Sequence, residues 1–336
     1  MAIWQDLVPA RDLTVFARRS LETIEARDGG LGRFFPNKVI DGDTAKYTLT
    51  ESGLVDTAEY RAWDTESSVG RLKGGKRVSL ELPPISHKIR VGELDTIRDR
   101  NDTTNQRRIV ARATANTIQA VVNRIEVARA DVLQSGRFTL DENGFQIDVD
   151  LGRSEDMSVT PAIKWSDPNA DVIADLGAWV TSYAEINGAA PATLLGSRQV
   201  LSFLQRNMTL RAQITGTTVQ PMVSIDQLNT LFGTYGIPSF QAFDRRAQVN
   251  GEVRRLLDAN KLFLLPAGGS DELGETVYGR TAEADDPAYS MASSEAPGMV
   301  SALHREWDPY GVWTHVNAIG MPVMSNPNAS MVAEVL

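Results

Sequence analysis

The sequence predicts an α+β fold, because a long extended segment, an unusually long helix and alternating short elements follow one another along the chain. Residues 35–84 hold short runs of alternating polar and apolar side chains, which are typical of β-strands. Residues 103–135 carry the three-and-four spacing of apolar side chains that indicates an amphipathic helix. From residue 166 onward, helical and extended patterns alternate up to the C-terminus.

The composition indicates a globular protein without thiol chemistry. At about 150 residues per domain, 336 residues predict two domains. The 34 basic and 43 acidic residues leave a net charge of −9, which argues against a dedicated nucleic-acid binder. The absence of cysteine excludes disulfides, zinc–thiolate sites and cysteine nucleophiles. Because the sequence shows neither a signal peptide nor a long apolar run, we expect a soluble protein made in the cytoplasm, with no membrane contact.

The N-terminal segment predicts a short helix with one apolar face. Leu13, Phe16, Ala17 and Leu21 have the spacing of one side of a helix, and Gly29-Gly30 end it. The extended segment that follows predicts strands at residues 46–50, 59–63 and 77–82, of which the last alternates most clearly.

Residues 64–76 form a polar, glycine-containing tip of the extended segment, which we call the loop tip. The extended segment as a whole has too few apolar side chains to bury much of itself. Long segments of this kind in compact domains are usually functional, so we expect it to pack on another molecule.

The long helix is predicted with boundaries at both ends. Asn101–Thr104 offers several N-cap side chains, and Gly136 is a natural residue just beyond the C-terminus. About 32 residues give a rod of roughly 48 Å. A set of polar residues is expected to lie mostly off the apolar stripe: Arg107, Arg108, Arg112, Asn116, Gln119, Asn123 and Glu126. The stripe consists of Ile118, Val121, Val122, Ile125, Ala128 and Val132.

The second half predicts smaller elements. A hairpin over residues 137–149 turns at Asp141–Gly144, a segment with strong turn chemistry. Trp165–Pro168 opens an amphipathic helix that ends at Asn187-Gly188, and a returning strand is expected over residues 313–323.

The sequence predicts no catalytic, cofactor-binding or metal site. Nucleophile-elbow, phosphate-loop, zinc-protease and calcium-loop motifs are all missing. Gly30-Leu31-Gly32 lacks the third glycine of a dinucleotide fingerprint, since Phe35 occupies that place, so a hinge is the better interpretation. His304 and His315 could meet in a sheet, where packing is the commoner role for histidine.

For two groups of charged residues, we favour an ordinary surface role over a binding site. Asp148 and Asp150 alternate along a strand and therefore share a face, and a solvated acidic face is more common there than a divalent-cation site. Arg107, Arg108 and Arg112 cluster early in the long helix without the aromatic platforms that single-strand binders carry. We therefore favour charge pairing with neighbours at the helix surface over a nucleic-acid contact.

A colinear set of short motifs resembles the major capsid proteins of lambda-like tailed bacteriophages. Each motif is weak alone, but their order and spacing run through most of the chain. The motifs are Leu82–Ile85, Asp148–Gly152, Trp165–Asp167, Ala174–Leu176, Tyr235–Pro238, Pro266, Leu273-Gly274, Tyr278-Gly279, Pro297-Gly298, Asp308-Pro309, Val312-Trp313 and Pro322-Val323.

This resemblance implies the tailed-phage capsid fold, of the Hong Kong 97 type, and a structural protein rather than an enzyme. It implies hexamers and pentamers that close into an icosahedral shell around double-stranded DNA, in a virion whose subunits are made in the host bacterial cytoplasm. The implied division is an N-terminal arm (1–34), an extended loop (35–84), a peripheral domain with the spine helix (85–165, helix about 103–135), an axial domain (166–305) and a return to the peripheral domain (306–336).

The resemblance also implies partners. Because only the arm and loop precede the long helix, we expect a separate scaffolding protein, besides a portal and a decoration protein where the particle has one. Contact with packaged DNA is expected to be weak and independent of sequence. Because the polar loop tip adds nothing to its own core, we expect it to contact an adjacent subunit. The candidate contact residues are its charged side chains: Asp64, Glu66, Arg71, Lys73 and Lys76.

Two alternatives stay open at the level of sequence. The first is an encapsulin-type compartment on the same fold, which stores a cargo enzyme. The second is an α/β enzyme with an unrecognised site, against which the missing motifs and the long extended loop both count.

Overall fold

The computed structural model describes residues 8–27, 29–49, 57, 60–61, 63–64, 66, 76–98, 102–216, 223–289, 298–308 and 310–336. Up to the first long hairpin, the elements are α1 (Ala10–Arg27), β1 (Asn37–Val39), β2 (Thr44–Leu49), β3 (Lys76–Glu81), β4 (Pro84–Val91), α2 (Glu93–Arg98), α3 (Thr103–Ser135), β5 (Arg137–Glu142) and β6 (Phe145–Asp150).

The remaining chain contains shorter helices and two long C-terminal strands. These elements are β7 (Ser158–Val159), α4 (Val172–Asn187), β8 (Thr193–Gly196), α5 (Arg198–Arg206), α6 (Met208–Thr215), α7 (Ile225–Thr234), β9 (Ser239–Ala242), β10 (Arg246–Val249), β11 (Glu252–Arg255), β12 (Lys261–Leu265), β13 (Gly274–Tyr278), β14 (Val300–Trp307), β15 (Tyr310–Met324) and β16 (Met331–Glu334). No helix in the described ranges is long and apolar enough to cross a membrane.

The long helix α3 forms as predicted. The Asp102 side chain caps its start by accepting a hydrogen bond from the backbone N–H of Asn105 at 2.9 Å. Gly136 follows its end in the left-handed conformation, with φ of 68°, and donates its N–H to the carbonyl of Val132.

The buried face of α3 is wider than the predicted stripe. The apolar stripe residues are buried except Ala128, which is half-buried. Glu126, predicted off the stripe, is only 2% exposed, and the neighbouring Arg129 is fully buried. The prediction for Glu126 is therefore wrong, because a charged side chain with buried partners can occupy a core-facing position.

The arm helix α1 buries one face, as predicted, through Leu13, Ala17 and Leu21. Phe16 departs from the prediction and is 40% exposed. The buried positions recur every four residues, so Phe16 lies at the edge of that face.

The extended loop is anchored by a two-stranded hairpin. Strands β2 and β3 pair antiparallel from Thr44 opposite Glu81 to Leu49 opposite Lys76. The strand predicted at residues 59–63 does not form at its described positions, where Tyr60 and Arg61 are irregular and Trp63 lies in a turn. Alternation alone does not make a strand when no neighbouring strand pairs with it.

The β5–β6 hairpin confirms the predicted turn. Six pairs of residues face each other from Arg137 opposite Asp150 to Glu142 opposite Phe145. Asn143 and Gly144 at the turn both have positive φ, at 51° and 83°. Asn-Gly is the preferred dipeptide for such two-residue turns.

Strand β15 organises the first sheet. It pairs antiparallel with β4 and β14 along its N-terminal part and with β13 along its C-terminal part, and β13 pairs parallel with β1. The predicted returning strand is therefore confirmed, and it is longer than expected. Helix α3 packs against β4 and β15.

The second sheet, in the order β7-β16-β12-β8-β9, is buried on both faces. Leu262 and Leu264 of β12 belong to the core formed with α4 to α7, which we call the outer core. The alternating Phe263 and Leu265 belong to the core shared with α3 and the β5–β6 hairpin, which we call the inner core. Two packed layers thus meet at one sheet.

Two strands bear on the boundary that the resemblance implied at residues 305/306. Strand β14 runs without interruption from Val300 to Trp307, so the boundary divides one strand of the first sheet. Strand β16, expected to return to the peripheral domain, instead pairs with β12 and β7 of the second sheet. A sequence pattern marks a strand but does not reveal which sheet accepts it.

Candidate assembly surfaces

The outer part of the extended loop exposes two large aromatic side chains. Tyr60 is fully exposed, at 107%, and Trp63 is 93% exposed. Asp64 follows Trp63 in the same turn with a φ of 61°, a conformation that aspartate tolerates better than most residues. Sequence analysis assigned this segment to a strand and missed the aromatic pair, although large aromatic residues beside a charged turn are a signal of an interaction site.

The predicted contact residues divide into described and undescribed ones. Asp64 and Glu66 are exposed. Arg71 and Lys73 lie outside the described residues. Lys76 begins strand β3, and its side chain is not among those described.

The base of the loop, unlike its outer part, is joined to the body. Leu80 and Leu82 are buried in the inner core. The hydroxyl of Tyr47 donates to Glu275 at 2.6 Å, and the Lys38 ammonium lies 2.6 Å from the same carboxylate oxygen. Burial and the neighbouring Glu275 raise the pKa of Tyr47, so its hydroxyl stays protonated. The loop therefore has a rigid base.

A groove of about 590 Å³ opens beside α3, and we call it the spine groove. Three walls form it: α3, the start of β4 and the β5–β6 hairpin. Exposed polar groups lie at its edges, where Arg124 forms an ion pair with Glu142 at 3.1 Å. The apolar lining residues are Pro83, Pro84, Ile85, Ala120, Val121, Ile125, Ala128, Phe138, Leu140 and Phe145.

A buried network of charges, here called the buried junction, joins the arm, the long helix and the first sheet. The Arg129 guanidinium donates to Glu126 and to Thr276, each at 2.8 Å. It also donates to Asn37 at 2.8 Å and forms an ion pair with Glu25 of α1 at 2.7 Å. Four separate parts of the chain therefore meet at one side chain.

Glu126 extends the junction towards β10. Its second carboxylate oxygen accepts a hydrogen bond from the backbone N–H of Leu31 at 3.1 Å and lies 3.5 Å from Arg245. Burial opposes the charged form of Arg129, yet the nearby Glu25 and Glu126 carboxylates raise its pKa, so the guanidinium stays charged. Sequence analysis missed Arg129, although its spacing of four from Ile125 pointed to the buried face.

The glycine pair near residue 30 has a structural explanation. A Cβ atom at Gly30 would lie 2.6 Å from Arg245 and 2.9 Å from Glu126. A Cβ atom at Gly32 would lie 2.8 Å from Arg129. A side chain at either position would therefore displace the charged end groups that form the junction.

The paired aspartates have a protein partner. Arg137 lies 3.1 Å from Asp148 and 3.4 Å from Asp150, and the two carboxylates share a face of β6 as predicted. Across the ranges that the structure describes, no three His, Asp or Glu side chains are grouped to hold a metal ion.

His304 and His315 lie next to each other on paired strands of the first sheet, as predicted. The rings of His304 and His315 are 5.5 Å apart, and the Tyr289 hydroxyl lies 3.5 Å from His304. Burial, followed by the neighbouring His304, lowers the pKa of His315.

The arginines at the start of α3 are exposed. Arg108 donates to Asn105 of the same helix, and no ion pair between described residues involves Arg107, Arg108 or Arg112. The expected charge pairing at the helix surface is therefore not seen among the described residues.

Comparison with known proteins decides between the readings of the sequence. The family model of phage major capsid protein E matches residues 31–335. The chain belongs to this family. No curated protein matches it in sequence.

Solved structures agree with the capsid family. A protein described as a prophage capsid protein, from E. coli CFT073, is 14% identical, with a TM-score of 0.67 over 96% of this chain and 99% of that one. A phage-related protein from Bordetella bronchiseptica RB50 is also 14% identical, with a TM-score of 0.62 over 96% and 95%. The satellite phage P4 procapsid is 9% identical, with a TM-score of 0.50 over 95% and 90%.

The predicted family, fold class and main function are therefore confirmed. The protein is a phage major capsid protein with a fold of the Hong Kong 97 type. Its role is structural, as a component of the virion. The encapsulin and enzyme alternatives give way to this conclusion.

Proposed function

We propose that this capsid protein assembles as hexamers and pentamers into an icosahedral shell around double-stranded DNA, with the extended loop as a contact between subunits. The observation that carries the proposal is the outer loop, where Tyr60, Trp63, Asp64 and Glu66 are all exposed on their own chain. An aromatic side chain in water lacks the burial that normally stabilises it. A neighbouring copy supplies that burial when subunits associate.

The rigid base of the loop supports the same role. A contact that recurs at every subunit of a shell must be presented in a fixed direction, and Leu80, Leu82 and the Tyr47–Glu275 hydrogen bond hold the hairpin to the body. Head-to-tail contacts between different surfaces of identical chains close into rings when the rotation allows it.

We also propose a division of the subunit into an arm, an extended loop, a peripheral unit and an axial unit. The arm is α1, the loop lies between β2 and β3, and the peripheral unit contains α3 and the first sheet. The axial unit contains α4 to α7 on the second sheet, and the sheet pairing of β16 supports the inclusion of the C-terminal strand there.

The partners follow from the capsid role. A scaffolding protein, a portal and a decoration protein are proposed, together with weak contact with packaged DNA. The net charge of −9 supports a contact that is independent of sequence and that weakens steeply with added salt. Synthesis in the bacterial host cytoplasm and the absence of enzymatic activity belong to the same proposal.

Electron microscopy and sedimentation of the purified full-length chain test the proposal. We expect rings or closed shells as protein concentration rises. Replacement of residues 64–76 by a short Asn-Gly turn should leave circular dichroism and melting nearly unchanged while closed shells disappear. A wild-type chain that remains an inert monomer at every salt and protein concentration would contradict the assembly role, and normal shells from the shortened chain would contradict the role of the loop tip.

A further inference from the structure

The exposed face of α3 carries arginine, amide and hydroxyl side chains but no carboxylate over most of its length. No aspartate or glutamate occurs between residues 103 and 125, although acidic residues outnumber basic ones in the chain by 43 to 34. Six polar side chains spaced three or four residues apart share this face, which extends for about 28 Å along the helix. We call them the α3 strip: Thr104, Arg108, Arg112, Asn116, Gln119 and Asn123.

The arginines of this region have no carboxylate partner in the described ranges. Arg107, Arg108 and Arg112 are exposed, and no ion pair between described residues involves them. The helix itself does not favour them, because the start of a helix attracts negative charge. Beyond the capping Asp102, the first turn of α3 has no acidic residue, and two arginines follow in the second turn. Their positive charge is therefore available to a partner outside the subunit.

The composition of the α3 strip favours nucleic acid over a protein partner. The centre of a protein interface is apolar, whereas only the small Ala111 and Ala115 lie between the polar side chains of the strip. Phosphate groups need cations and N–H or O–H donors, and arginine, asparagine, glutamine and threonine side chains supply them. Helix α3 contains no aromatic residue on which unstacked bases could lie. The strip therefore fits the phosphate backbone of a duplex.

We infer that the α3 strip, together with Arg107, contacts the phosphate backbone of packaged double-stranded DNA, so that this face of the subunit points into the shell. The inference rests on the proposed function, a shell around DNA, and adds the surface that meets the DNA. Along a duplex, the strip covers about eight base pairs at roughly 3.4 Å each. Phosphate contacts carry no sequence information. Each subunit binds weakly through three arginines, and repetition over the shell strengthens the contact.

Binding of the purified full-length chain to a fluorescein-labelled duplex of random sequence tests the inference. Fluorescence anisotropy between about 25 and 200 mM salt should give a plot of log binding constant against log salt with a slope of about −2.7, from three phosphate contacts at about −0.9 each. The triple variant Arg107→Gln, Arg108→Gln, Arg112→Gln should bring the slope close to zero and weaken binding at about 50 mM salt at least tenfold.

Two control variants separate the strip from the overall charge. Arg198, Arg206 and Arg246 are exposed on other elements, and their replacement by glutamine removes the same three positive charges from a chain of net charge −9. This variant should retain the wild-type slope. Replacement of the three α3 arginines by lysine keeps the charge and should retain it too. No binding by the wild type at the lowest salt, an unchanged slope in the α3 glutamine variant, or equal losses from both glutamine variants would overturn the inference.

A single substitution keeps the test decisive if the triple variant does not give the circular dichroism spectrum of the wild type. Arg112→Gln alone removes one phosphate contact, so the magnitude of the slope should fall by about 0.9. A slope equal to that of the wild type would again contradict the inference.

Cysteine accessibility in assembled particles tests the orientation, because the natural sequence contains no cysteine. Arg112→Cys should react with a polymer-linked maleimide too large to cross the shell only after the particles are dissociated. Labelling of Arg112→Cys in intact shells would place the strip on the outside and overturn the inference. If the wild-type chain forms no shells or rings, the proposed function fails instead. The DNA titration does not depend on assembly, so the two failures are distinguishable.

Discussion

The outer part of the extended loop (Tyr60, Trp63, Asp64 and Glu66) and the buried junction place side chains in opposite environments. The outer loop leaves two aromatic residues in water, whereas the junction takes Arg129 and Glu126 almost completely out of it. Both choices go against the usual preference of these residue types. Each is therefore informative about what its region contributes.

The difference separates folding from assembly. Buried charges are tolerated only with close partners, and removal of one partner costs more than the pair contributes. The junction consequently makes the arm, α3 and the first sheet depend on one another within a single subunit. The exposed Tyr60 and Trp63 contribute nothing comparable to their own chain, and the proposed function places their stabilising contact between subunits.

The largest expected effect on stability comes from a substitution in the buried junction. Arg129→Met should lower the free energy of unfolding by about 3–5 kcal/mol, because Glu25 and Glu126 lose their buried cation. Denaturant unfolding of the isolated subunit measures this. Arg124→Met on the same helix removes only a surface ion pair and should cost less than about 1 kcal/mol. Equal losses from the two variants would show that the junction has no special role.

A second comparison lies within the loop itself. Leu80→Ala at its base deletes a side chain that is 4% exposed and should destabilise the subunit by about 2–5 kcal/mol. Trp63→Ala removes a larger side chain and should change the unfolding free energy by no more than about 0.5 kcal/mol. Thermal melting of both variants decides the matter, and a large loss from Trp63→Ala would place the tryptophan in the core.

Two glycine substitutions, one at the buried junction and one near the loop base, compare the same regions with a smaller expected effect on stability. Gly30→Ala forces a methyl group against Arg245 and Glu126, and the overpacking should cost about 1–3 kcal/mol. Gly42→Ala is the matched control beside the loop base, since no atom lies within 4 Å of the new Cβ position. We expect it to be close to neutral in denaturant unfolding. If Gly30→Ala is also neutral, the junction is more adaptable than its close contacts indicate.

The smallest expected effect concerns pH at the histidine pair. Burial and His304 lower the pKa of His315, and Lys88 acts in the same direction while Glu283 opposes it. In the unfolded chain the pKa of His315 is about 6.5, which is higher than its pKa in the folded chain. The contribution of the neutral His315 to stability is therefore fully present above that pH. This contribution is lost as the pH falls from there through the folded pKa.

His315→Gln should flatten this part of the pH dependence of melting below about pH 6.5. Melting near pH 8 is the control. There the difference in melting temperature between the wild type and the variant should not change with pH. An unchanged slope at low pH would assign the acid sensitivity to other groups.

Local chemistry in the sequence determined much of the framework. The side chain of Asp102 and the backbone freedom of Gly136 set the ends of α3, and Asn143-Gly144 set the turn between β5 and β6. These features depend on neighbours within a few residues, so they are legible in the chain. The capsid family could be read from the order of short motifs for a related reason, because most of them lie at turns or at the ends of elements.

Only the tertiary structure decided the contacts between distant segments. Arg129 reaches Asn37 and Thr276, which are far away in sequence, and no local spacing reveals that a charge will find such partners. The sheet that accepts β16 was undetermined for the same reason, as was the irregular backbone of Tyr60 and Arg61, where a strand was expected. Pairing and burial are properties of the packed chain, since a side chain's surroundings are supplied by whichever segments fold against it.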